Sequence, residues 1–144
     1  MNRLLSTAVF ALLANGAWAQ NLEMRDTGGL RWVCGGVGAD GRRALVALEA
    51  QANLALVFVT PKRGGYLADV ELSLFDAGAK SARFTAATDG PMCLLRVPAG
   101  NYRLEASFGG VRRTSAVAVP ADAKKPVRAV FAFPGEPWDG RWTQ

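Results

Sequence analysis

The sequence predicts a mainly β chain: a seven-stranded Greek-key β-sandwich with one N-terminal helix. Three observations carry this expectation. After a continuous apolar run from Leu54 to Thr60, apolar and polar residues alternate in short runs as far as Phe133, the period of a strand with one buried face. Gly, Pro and Asp punctuate those runs at regular spacing, where an antiparallel chain must turn. Upstream of Leu54 a single stretch repeats its apolar residues at helical spacing.

Taken in order, residues 1–19 have the three parts of a cleavable secretory signal peptide. Arg3 supplies the positive charge, and Leu4 to Ala14 is an apolar run shorter than the ~20 residues of a spanning helix. Ala17-Trp18-Ala19 places small residues where a signal peptidase reads, so cleavage is expected before Gln20. The mature protein is then expected in the periplasm or outside the cell, with no transmembrane segment.

Residues 20–53 read as a polar leader, a Gly-rich loop and a helix packed on the sandwich. Leu30 to Cys34 suits a short strand, and Gly35-Gly36-Val37-Gly38 suits no regular element. Asp40 is expected to cap a helix whose Leu45, Leu48 and Ala52 share one face, with Asn53 as its stop. Residues 54–133 form the sandwich. Its expected strands are Leu54 to Thr60, Ala68 to Phe75, Ala82 to Thr88, Met92 to Val97, Tyr102 to Phe108, Val111 to Val119 and Val127 to Phe133. Asp76-Ala77-Gly78, Asp89-Gly90-Pro91 and Pro98-Ala99-Gly100 turn the chain, and Gly109-Gly110 has the composition of a tight hairpin. Residues 134–144 are an irregular tail containing Trp138 and Trp142.

Composition narrows function more by exclusion than by assignment. The 144 residues carry 17 Lys and Arg against 12 Asp and Glu, a formal +5 that falls by one when Arg3 leaves with the leader. The cations are scattered in pairs such as Arg42-Arg43 and Lys124-Lys125, whereas a nucleic-acid binder clusters them among stacking aromatics. There is no His, so His-based catalysis and most zinc sites are out of reach. Asp69 and Glu71 are expected side by side on the solvent face of one strand, with Val70 and Leu72 on the other. Asp76 and Asp89 are expected to bond their own turns, and no Asp-x-Asp-x-Asp run suggests calcium. No catalytic residue, cofactor or metal is therefore assigned.

Four features still call for a role. Cys34 and Cys93 are the only cysteines, and in an oxidising compartment an even pair usually forms a structural disulfide; two buried thiols are the alternative. Gly36, Gly38 and Gly41 match Gly-x-Gly-x-x-Gly, but the hairpins that follow are unlike the repeated βαβ units of a dinucleotide fold. An anion at the helix start is the milder reading. Trp138 and Trp142 either form a platform for glycan or peptide or close one end of the core. Pro98, Gly100 and Tyr102 make a rigid turn, and the Tyr102 hydroxyl can bond a neighbouring loop as a tyrosine corner does.

A resemblance joins several of these residues. Gly65-Tyr66-Leu67-Ala68-Asp69-Val70, Asp76-Ala77-Gly78, Thr88-Asp89-Gly90 and Val97-Pro98-Ala99-Gly100-Asn101-Tyr102-Arg103-Leu104 follow one another as in a carboxypeptidase regulatory-like domain. That family is a transthyretin-like β-sandwich; Val97 stands where it usually has Leu, and Gly90 follows Asp89 in the second turn. The whole mature chain is also similar to small exported proteins of Gram-negative bacteria with a Gly-Gly-x-Gly segment and a helix before the sandwich. Both resemblances imply fold and compartment and a non-catalytic role in folding, stability or protein contact. The expected function is thus an accessory or interaction module of the cell envelope, its partner an envelope protein. The alternative is a binder of glycan or small anion through Trp138 and Trp142 or the Gly-rich helix start, and an enzyme ranks last.

Overall fold

A computed structural model of the chain describes residues 22–60 and 65–134. Among them, ten strands and one α-helix build a β-sandwich of two sheets. The strands are β1 (Arg25–Thr27), β2 (Leu30–Gly35), β3 (Leu54–Thr60), β4 (Gly65–Tyr66), β5 (Glu71–Asp76), β6 (Phe84–Ala87), β7 (Met92–Arg96), β8 (Gly100–Phe108), β9 (Val111–Val119) and β10 (Val127–Ala132). The larger sheet runs β1-β2-β7-β3-β10, with β4 also on β3, and the smaller runs β6-β5-β8-β9. All seven expected strands are present as β3 and β5 to β10. The Leu30 to Cys34 segment pairs as β2, and β1 and β4 are additions that periodicity did not indicate.

The alternation read from the sequence is the burial pattern of the smaller sheet. Leu72 and Leu74 on β5, and Tyr102, Leu104 and Ala106 on β8, turn inward, where they meet Leu54, Leu56, Phe58, Cys93 and Leu95 of the larger sheet. β3 does not alternate because both of its faces are covered. Leu54, Leu56 and Phe58 enter the core between the sheets, while Ala55 joins Val33 and Leu94 under the helix with Leu45 and Ala52. Burying a Leu side chain contributes ~2 kcal/mol, so the fully buried Leu45 holds the helix down.

The topology explains why the helix exists. β2 and β3 each pair antiparallel with β7, so they run in the same direction and no hairpin can join them. The connection crosses the outer face of the larger sheet as α1 (Gly38–Val46), followed by a 3-10 turn over Glu49–Gln51. This corrects the expected helix in two ways. Its N-cap is Val37 with no side-chain cap, and Asp40 lies in the first turn facing Arg43 at 3.5 Å. It also ends early: the Leu48 and Gln51 amides donate to carbonyls three residues back, tightening the chain before it enters β3. Asn53 is not a left-handed stop either, since Asp69 is the only non-glycine residue with positive φ among those described.

Asp69 accounts for a further correction. At φ 58° it cannot extend the strand, so β5 begins at Glu71 and the expected Asp69–Glu71 pair does not share one strand. Thr88 holds this kink: the Asp69 amide donates to the Thr88 carbonyl, and the Val70 amide donates to Thr88 Oγ1 at 3.0 Å. Asp76 also differs from expectation. Its carboxylate accepts two-pronged bonds from the Arg83 guanidinium at 2.9–3.1 Å, closing the β5–β6 hairpin by a side-chain pair.

Candidate functional site

Cys34 and Cys93 are bonded to each other, directly opposite on β2 and β7 with Cα atoms 4.1 Å apart. Both are buried in the core between the sheets, so this pair is a staple rather than a reactive thiol.

The Pro98, Gly100 and Tyr102 motif lies where β7 hands the chain to the other sheet. Tyr102 is buried on β8, and its hydroxyl donates to the Pro98 carbonyl four residues upstream. Burial raises the Tyr102 pKa above its ordinary value; the nearby Arg83 guanidinium opposes that shift and Asp76, opposite Tyr102 on β5, adds to it. The same corner is held from the other side by Asn53. Its Nδ2 donates to the Val97 carbonyl at 2.6 Å, and its Oδ1 accepts from the Val97 amide at 2.9 Å. Sequence reasoning missed this role because an Asn between a helix and a strand looks like any cap.

The glycine motif has a packing explanation. Gly36 and Gly38 take φ of 89° and 71°, and a β-carbon on Gly41 would stand 3.4 Å from the Gly36 backbone. The turn thus lets α1 start directly against β2. A cleft of about 140 Å³ opens beside it, lined by Leu22, Cys34, Ala44 and the glycines, and its charged lining residue is Asp89, an anion. The strand order there is antiparallel, unlike the sheet beneath a dinucleotide.

The remaining feature is a seam between the sheets. β9 pairs with β8 from Gly100↔Val119 to Phe108↔Val111, and Gly109 and Gly110, at φ 56° and 79°, close the hairpin with two residues. In such a hairpin Phe108 and Val111 exchange both backbone bonds, so alternation directs the amides and carbonyls of Arg112, Thr114, Ala116 and Ala118 away from β8. β9 has no other ladder partner among the described residues. The facing edge is β10, which among the described residues pairs with β3 alone, in parallel. Among the described residues one side-chain bond spans the gap: Arg113, in register with the core residue Ala106, donates Nε–H to the Ala132 carbonyl at 3.1 Å. Two strand edges thus lie side by side without a ladder between them.

Trp138 and Trp142 lie outside the described residues, as do residues 1–19, where the signal peptide is expected. Among the described residues no group of three His, Cys, Asp or Glu side chains could hold a metal, and no helix is long and apolar enough to cross a membrane. No model of a known protein family matches the chain, and no curated protein matches it.

Proposed function

We propose that this protein is a non-catalytic accessory module of the bacterial envelope, exported by its leader, that binds a protein partner by strand addition at β9. The observation that carries this reading is the β9–β10 seam. Arg112, Thr114, Ala116 and Ala118 direct backbone donors and acceptors of β9 away from β8, toward β10, which lies alongside without a ladder; among the described residues the side-chain bond across is that of Arg113. An extended segment that displaces β10 from this seam would pair with them, as strand-adding ligands do. The inward-reaching arginine discourages indiscriminate pairing, because an incoming strand must give it a replacement for the Ala132 carbonyl. A carboxylate does that best, so the fitting partner presents a strand with an acidic residue facing Arg113.

The finer assignment of the sandwich as a transthyretin-like, carboxypeptidase regulatory-like Greek key belongs to the same proposal. In its support, the seven strands read from the sequence divide into four, β6-β5-β8-β9, and three, β7-β3-β10. The Pro98-to-Tyr102 segment that carries the resemblance is tied into one corner by the Tyr102 hydroxyl.

The test is a photo-crosslinking residue at Ala116, introduced in cells that export the protein. A discrete adduct is expected, and Thr114→Pro should abolish it, because the Thr114 amide points outward and its loss leaves the β8 ladder intact. No adduct, or one indifferent to Thr114→Pro in folded protein, overturns the reading.

A further inference from the structure

Arg31 and Arg96 are partners in register across β2 and β7. Both follow the alternation of Val33 and Leu94, so both stand on the outer face of the larger sheet, beyond the 3-10 turn. Like charges directly opposite in a sheet destabilise it, and such a pair is normally relieved by a carboxylate between them. Here relief is slight. Arg31 reaches Gln51 Oε1 at 3.4 Å and the exposed Asp26 at 3.8 Å, and Arg96 has no ion pair among the described residues. The contrast with Arg83 on Asp76 and Arg128 on Glu49, at 2.9 and 3.0 Å, shows what a satisfied arginine looks like in this protein.

Arg31 and Arg96 both line a hollow of about 320 Å³ that, among the described residues, has no carboxylate in its lining. Its walls are stiff. Pro98 and Pro120 are among its lining residues, Asn53 fixes the Val97 backbone, and Tyr102 pins the Pro98 carbonyl. A rigid concave surface with two forked donors needs little reorganisation to bind, which is where affinity for a small ligand comes from.

We infer that the Arg31–Arg96 hollow binds a phosphate monoester. Its two positive charges match a dianion, whereas a carboxylate would leave one cation uncompensated, and planar guanidinium forks suit phosphate oxygens. The site uses neither β9 nor its edge, so it stands or falls independently of the strand-addition reading.

The experiment titrates inorganic phosphate, glycerol 3-phosphate and acetate into the full chain at low ionic strength, followed by amide chemical shifts. Saturable shifts at Arg31, Arg96 and Val97 are expected with both phosphates, with acetate weaker by roughly tenfold. Arg96→Gln and Arg31→Gln should each weaken phosphate by roughly tenfold, while Arg43→Gln, an exposed cation on α1, should not. Because each of the first two substitutions relieves a like-charge pair, both proteins should melt no lower than the parent without phosphate. Vesicles of phosphatidylcholine with and without phosphatidic acid identify the source: retention on the acidic vesicles that Arg96→Gln removes marks a lipid headgroup, and response to the soluble esters alone marks a free one. No saturable phosphate response, or an equal loss in Arg43→Gln, overturns the inference.

Discussion

Gly90 lies against Gly35 so closely that a β-carbon on Gly90 would overlap the Gly35 carbonyl. The contact joins the turn before β7 to the end of β2, and backbone cannot move aside as a flexible side chain can. Gly90→Ala should therefore destabilise the fold by about 3 kcal/mol, the upper end of ordinary overpacking. Gly78→Ala is the matched comparison. It has φ 79° but nothing within 4 Å, so only the left-handed backbone resists, at about 1 kcal/mol. Urea unfolding of both variants measures the difference; equal losses would mean that the close approach is unimportant.

Asn53 gives the second prediction. Asn53→Ala leaves the Val97 amide and carbonyl without their partners in a buried site and should cost about 3 kcal/mol. Asn53→Asp keeps the shape but turns a carboxylate oxygen toward the Val97 carbonyl, so it should be the worse of the two at neutral pH. Protonation restores a donor, and the Asp variant should recover relative to the Ala variant as the pH is lowered. Thermal melts of both across acidic to neutral pH read this directly.

These two residues mark how far the sequence was legible. The half-buried strands were, because a sheet with one wet face writes its period into the chain: Leu72, Leu74, Leu104 and Ala106 all point where alternation puts them. The Cys34–Cys93 bond was also legible, from an even cysteine count and the oxidising compartment expected of the chain. What escaped depends on contacts distant in sequence. Asn53 meets Val97, Gly90 meets Gly35 and Arg31 meets Arg96 only after β7 inserts between β2 and β3, and no local pattern announces that insertion. The helix was misread at both ends for the same reason. Propensity extends it to Asn53, but the sheet needs the chain back at Leu54, and the last turn tightens to deliver it.

The disulfide closes a segment spanning 59 positions, worth about 4 kcal/mol in the chain-entropy account. Protein unfolded without reductant should show essentially no free thiol, and two per chain after reduction. Replacing both cysteines by Ala should lower the urea midpoint by the equivalent of 2–4 kcal/mol, about the range of native disulfides. Because both cysteines are buried, reduction of the folded protein should level off with rising reductant at a limiting rate set by unfolding.

Tyr102 supplies a pH dependence whose sign follows from its environment. Burial disfavours the phenolate, so the folded pKa lies above the ordinary value of about 10. Below that value both states hold the proton and stability is constant with respect to this group. Above it the unfolded chain releases the proton first, and stability falls by up to about 1.4 kcal/mol per pH unit until the folded pKa is reached. Tyr102→Phe removes the titration along with the bond to Pro98. It should therefore be less stable than the parent by about 1 kcal/mol at neutral pH, yet lose less on going to alkaline pH. The two curves should converge or cross above about pH 10. Urea midpoints of parent and variant measured at neutral and alkaline pH test this. Parallel alkaline limbs would show that the Tyr102 hydroxyl titrates as in water and that its link to the Pro98 carbonyl does not keep it from solvent.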